Sequence, residues 1–97
     1  MNRCHAAEYK TADRTLNDVY VSYRATLNEI QKKSLSNAQF AWIKYRDLSC
    51  DFETLNARGG SMFQMVLSMC LTEKTHSRIK EIEKLNTCNE GDVSCSR

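Results

Sequence analysis

The chain has 97 residues, 41% of them apolar and 27% charged, with three glycines and no proline; a chain of this length closes one small core, which excludes a second domain. Its longest apolar runs, such as Met65 to Leu67, fall far short of the roughly 20 residues that span a bilayer, which excludes a transmembrane segment. Fourteen basic against twelve acidic residues leave a net charge of +2, without the concentrated positive surface of a nucleic-acid binder.

The lack of proline and scarcity of glycine remove the punctuation that hairpins and phosphate-cradling loops need, whereas Ala, Leu, Glu, Lys, Arg and Gln favour helix. The expected class is all-α: a three-helix antiparallel bundle, or an elongated helical hairpin with a third helix. From Ala6 to Ile30 the apolar residues recur at intervals of three or four, through Tyr9, Ala12, Leu16, Val19, Tyr20, Tyr23 and Leu27, which predicts one long amphipathic helix. Its opposite face carries Lys10, Thr11, Arg14, Asp18 and Asn28, and Lys32 and Lys33 suit its C-terminus.

Ser36 and Gln39 have the spacing of a capping box, which predicts the start of a second helix. Its expected core stripe is Ala38, Trp42, Tyr45, Leu48 or Ser49, Phe52 and Leu55, and Gly59 and Gly60 stop it. Ser61 and Gln64 repeat the capping spacing and open a third helix through Phe63, Val66, Leu67, Cys70, Leu71, Thr75, Ile79, Ile82 and Leu85. Residues 1–87 are read as a single helical domain and 88–97, rich in Asn, Ser, Gly and Asp, as a polar tail.

Cysteines at 4, 50, 70, 88 and 95 include no C-x-x-C pair, so disulfides in an oxidising compartment are favoured over zinc or redox chemistry. The chain opens without an apolar signal segment, and the expectation is an exported protein, periplasmic or secreted, whose leader has been removed. If the second and third helices run antiparallel about Gly60, residues equidistant from it lie side by side, and Cys50 and Cys70 are each ten residues away. That shared level meets the short Cα separation of a disulfide and predicts a Cys50–Cys70 bridge. The tail's short reach past the third helix favours pairing Cys88 with Cys95. Cys4 is then the odd thiol, unpaired, paired between chains, or missing a partner upstream.

Asp47 and Asp51, four apart on one helix, could bring two carboxylates together for acid and base chemistry, but Lys44, Arg46, Lys74 and Arg78 are available to pair with them structurally. His5 and His76 fall far apart, and Cys4 beside His5 makes at most half of a zinc site. No histidine is placed to activate a serine or cysteine. The reading is no catalytic residue, no metal site and no cofactor. The densest cluster is Trp42, Tyr45, Arg46, Asp47 and Cys50, to which register adds Tyr20 and Arg24 from the first helix and Thr75 and Arg78 from the third. A hydrogen-bonded network locking the helices is favoured over a partner's hot spot for these residues. The turn Arg58, Gly59, Gly60, Ser61 and Met62 is a second candidate, an exposed tip with one basic and one apolar residue.

The segment A-Q-x-x-W-x-x-Y-R-D-x-x-C, residues 38–50, followed by Gly59-Gly60-Ser61 and by C-L-x-x-x-T-x-x-R, residues 70–78, resembles the family named for the N-terminal domain of the LprI-type lysozyme inhibitor. Met1, Asn2, Cys4, Ala12, Asp13, Leu16, Asn17 and Tyr20 extend the resemblance, which covers residues 1–85. It implies a small periplasmic or surface-attached helical domain of the bacterial envelope. Many relatives carry a further cysteine just upstream, which would supply a partner for Cys4. His5, where a small residue is usual, and the tail cysteines Cys88 and Cys95 depart from the family pattern.

The resulting functional expectation is a non-enzymatic binding protein that blocks a lysozyme-type cell-wall hydrolase by inserting the Arg58 to Met62 turn into its acidic cleft. Because animal lysozymes are strongly basic and this chain is slightly positive, affinity must come from local fit rather than long-range attraction. The alternative is an envelope structural, interaction or toxin-immunity protein with no lysozyme affinity. The structural network is expected to comprise Asn17, Tyr20, Trp42, Tyr45, Arg46, Asp47, Thr75 and Arg78.

Overall fold

A computed structural model describes residues 2–87. Among these residues the chain forms α1 (Asn2–Arg24), α2 (Glu29–Glu53), a short 3-10 turn (Leu55–Ala57) and α3 (Phe63–Asn86), with no strand. Successive helices run antiparallel, so that α1 and α3 are parallel and pack closest together. Ala12, Thr72 and Thr75 lie buried on α1 and α3, and residues this small let the two backbones approach.

The bundle is held differently along its length. At one end Leu16, Tyr23, Ile79 and Ile82 form the buried apolar core, with Val19, Tyr20, Leu27, Leu35, Trp42 and Leu85 packed against it. In the middle sits a buried arginine, Arg46. At the other end Cys50 and Cys70 are joined by a disulfide with Cα atoms 5.7 Å apart, as the register about Gly60 predicts. The expected Cys88–Cys95 bridge and the polar tail lie outside the described residues.

Two helix boundaries correct the sequence reading. The first helix ends at Arg24, not near Lys32 and Lys33, and α2 begins at Glu29. Asn28 is the N-cap: its Oδ1 accepts from the Gln31 backbone N–H at 2.8 Å while Gln31 Oε1 accepts from the Asn28 N–H at 3.1 Å, a complete capping box. The apolar spacing ran on through the turn because Leu27 still packs on the core, but Ile30, the next residue in that series, is 84% exposed. Ser36 and Gln39 therefore lie inside α2, where both face neighbouring helices instead of capping a terminus. Ser61 does not cap α3 either, since the N-cap is Met62 and no side chain bonds there.

The outer and inner faces of α2 also differ from expectation. Gln39, Arg46 and Cys50 are its buried residues, whereas Tyr45 and Phe52 of the expected stripe are more than half exposed and, of the alternatives Leu48 and Ser49, it is Leu48 that stands exposed and Ser49 that is half-buried; the helix ends at Glu53, short of Gly59 and Gly60, and Leu55, also exposed, lies in the 3-10 turn that follows. The physical reason is that the interior beside α2 is filled by the long stem and flat head of Arg46, whose ring contacts and hydrogen bonds replace a purely apolar seam.

Candidate partner-binding site

Arg46 organises the middle of the bundle and thereby fixes the scaffold on which any surface is displayed. Its Nε donates to Asp47 Oδ1 at 2.9 Å, and its Nη1 donates to Asp13 Oδ1 on α1 at 3.4 Å and to Thr75 Oγ1 on α3 at 3.5 Å. The guanidinium also lies over the Trp42 ring at 5.2 Å and the Tyr9 ring at 5.5 Å, where the negative ring faces favour a cation. Burial pushes the Tyr9 phenol pKa above its ordinary value, an effect that the Arg46 charge opposes and the Asp13 and Asp47 charges reinforce.

Trp42 is shared by a second cation, because Arg78 lies 5.8 Å from its ring centroid. Arg78 donates to Gln39 Oε1 at 2.9 Å and to Glu81 Oε1 at 3.1 Å. Asn17 and Tyr20 line a groove of about 350 Å³ between α1 and α2, together with Leu16, Phe40 and Ile43. Tyr20 shares a 2.8 Å hydrogen bond with Ser36, to which Arg24 also donates at 3.0 Å. Of the expected network residues, Trp42, Arg46, Asp47, Thr75 and Arg78 come together here, and Tyr20 and Asn17 flank the groove. Tyr45 does not join them: it sits on the solvent face of α2, 62% exposed. Asp13, Tyr9 and Gln39, partners of the two arginines, carry no such signal in the sequence pattern; Gln39 is buried and Tyr9 half-buried, whereas Asp13 reaches Arg46 from an exposed position.

The turn at the disulfide end is ordered by its backbone. Thr54 closes α2, its N–H bonded to Cys50 O and its hydroxyl donating to the same carbonyl at 2.7 Å. Gly60 N–H then donates to Ala57 O at 3.1 Å, and Phe63 N–H donates to Gly60 O at 3.3 Å. Gly59 has φ +83°, a left-handed conformation that side chains disfavour, so its glycine is required by the turn. Ten residues back on either side the disulfide holds the two helices, and Lys74 Nζ pairs with Glu53 Oε2 at 2.7 Å beside it. That hydrogen bond pushes the Lys74 pKa up. The tip exposes Arg58, Gly59, Gly60, Ser61 and Met62; Arg58 Nη2 lies 3.9 Å from Asp51 Oδ1, at the outer limit of an ion pair.

The groups weighed for chemistry are dispersed. Asp47 is turned to Arg46 and Asp51 toward Arg58. His5 Nδ1 lies 3.8 Å from Glu8. Cys4, exposed and unpaired among the described residues, donates to Glu8 at 3.6 Å and lines a shallow groove of about 440 Å³ with His76. Among the described residues no three His, Cys, Asp or Glu side chains gather as a metal site, and no helix is long and apolar enough to cross a membrane.

Fold and site together define a small disulfide-clamped three-helix module built around a buried arginine. The chain matches the Lysozyme inhibitor LprI family over residues 1–82 and belongs to that family. It is 36% identical over 98 aligned positions to an uncharacterized protein of Rhizobium meliloti (strain 1021), an alignment covering 88% of this chain and 70% of the relative. No solved structure matches it.

Proposed function

We propose that this protein is a non-enzymatic periplasmic or secreted binding protein that inhibits a lysozyme-type cell-wall hydrolase, with the Arg58 to Met62 turn as the element presented to the hydrolase cleft. The reading is carried by family membership over residues 1–82. It is supported by a turn whose backbone is pinned by internal hydrogen bonds and by the disulfide behind it, because a segment already held in its bound form loses less entropy on docking. Arg58 supplies a cation to an acidic cleft, and Met62, half exposed, supplies an adaptable apolar contact.

The test is inhibition of lysozyme by the R58A/M62A double variant beside the parent protein. Both residues are exposed, so the thermal midpoint should stay within a few degrees while the inhibitory concentration rises at least about tenfold, the effect of losing about 1.4 kcal/mol. Unchanged inhibition by a folded double variant removes the turn from the mechanism.

A further inference from the structure

Along α2 the residues Ala38, Ala41, Tyr45, Leu48 and Phe52 follow spacings of three, four, three and four, Leu55 in the 3-10 turn just past the helix end continues the series, and all six are exposed. That is the a and d pattern of a heptad seam. It lies opposite Ile43 and Cys50, which hold the outermost position of the same heptad and here face the bundle. The four large side chains stand 62%, 57%, 78% and 53% exposed for Tyr45, Leu48, Phe52 and Leu55. Large apolar side chains aligned in one exposed row, rather than scattered singly, are the pattern of an interaction surface.

We propose that this stripe is a self-complementary seam on which α2 packs antiparallel against α2 of a second copy of the chain. Three properties select that occupant. In an antiparallel pair each a residue meets a d residue of the other helix, which sets Tyr45 against the partner's Leu48, Phe52 against the partner's Ala41 and Leu55 against the partner's Ala38. The Phe52 layer then joins a large side chain to a small one, as a filled seam requires, and Leu55, in the turn past the helix end, covers the partner's Ala38 at the margin. The same register brings Lys44 beside the partner's Asp51 and Asp51 beside the partner's Lys44 along one flank. Lys44 makes no ion pair among the described residues, and Asp51 has only the 3.9 Å approach of Arg58, so both charges are available. The opposite flank carries Trp42, Ser49 and Asn56, with no charge to repel its symmetry mate.

A parallel pair would instead stack Phe52 on itself and set Lys44 beside the partner's Ser49, leaving both charges unmatched. The antiparallel seam is isologous and closes as a two-fold dimer, with its axis between Tyr45 and Leu48. This pairing does not depend on hydrolase inhibition and is measured without any hydrolase.

The test is sedimentation velocity on the full chain with Cys4, Cys88 and Cys95 changed to serine, which keeps the Cys50–Cys70 bridge and removes every other covalent route to a dimer. The expected result is a reversible monomer–dimer equilibrium below about 100 µM, in the range of small interfaces. L48D, at an exposed position beside the axis, should give a folded monomer. K44D and D51K should each weaken the dimer about tenfold, and K44D/D51K should restore it to within about threefold of the parent. A parent that stays monomeric at about 100 µM, a dimer that survives L48D, or a double variant no better than the single ones would each overturn the antiparallel seam.

Discussion

Thr72 and Thr75 lie one turn apart on α3, both buried, yet only the Thr75 hydroxyl has a partner: it accepts from Arg46 at 3.5 Å, whereas Thr72 Oγ1 has none among the described residues. Valine has nearly the shape of threonine without the hydroxyl, so the same substitution should act in opposite directions at the two sites. T72V removes a desolvated, unbonded group and should stabilise by about 1 kcal/mol; T75V strands an arginine N–H and should cost about 1 to 2 kcal/mol. Urea unfolding of the two variants checks this, and equal shifts would contradict it.

Arg46 is buried while its two carboxylate partners are more than half exposed. Removing the arginine therefore leaves hydrated anions rather than buried ones, and the loss comes from hydrogen bonds and ring packing. R46A should cost about 3 kcal/mol, and R46K, which keeps the charge but not the flat fork, about 2. D13N and D47N should each cost less than R46A, about 1 kcal/mol, because each carboxylate is already largely hydrated and the amide oxygen that replaces it can still accept from the arginine. Thermal and urea denaturation decide the order; a D13N penalty as large as that of R46A would show the ion pair, not the stacked arginine, to be dominant.

The helix boundary at Asn28 predicts a contrast between two short polar residues. N28A deletes the capping acceptor of Gln31 N–H and should cost about 1 kcal/mol. S61A deletes nothing that caps α3 and should stay within about 0.5 kcal/mol. Chemical denaturation monitored by helical circular dichroism measures both.

Stability should fall on the alkaline side. Tyr9 titrates above its ordinary 10.0 and Lys74 above its ordinary 10.5 in the folded chain. The unfolded state therefore loses these protons first, and as pH rises it binds fewer protons than the folded state. The contribution of each group is complete below its unfolded pKa and is lost as pH climbs through the folded one. Unfolding free energies at a series of pH values above 9, compared with Y9F and K74M, should show the parent declining more steeply than either variant. Parallel curves would contradict both couplings.

The three helices and the Cys50–Cys70 bridge were legible in the sequence because apolar period and equal distance from Gly60 are local or symmetric signals. The start of α2 was misplaced because Leu27 continues the apolar period through the turn and because Ser36 and Gln39 imitate a capping box; Asn28 and Gln31 have the same spacing and were the available signal. The inner face of α2 was not legible. Its apolar stripe points outward, and the residues that fill the interior, Gln39 and Arg46, are polar groups made tolerable by Arg78, Asp13 and Thr75 from other helices. Contacts spanning some 30 residues of chain leave no local trace in composition or periodicity.

The measurement that bears most directly on function is a lysozyme turbidity assay with the oxidised protein, run beside a reduced and alkylated sample. Cell-wall lysis should be inhibited at near-stoichiometric protein, and inhibition should be lost or sharply weakened when the Cys50–Cys70 clamp behind the turn is opened. Failure of folded, oxidised protein to inhibit any of several lysozyme types would contradict the proposed function.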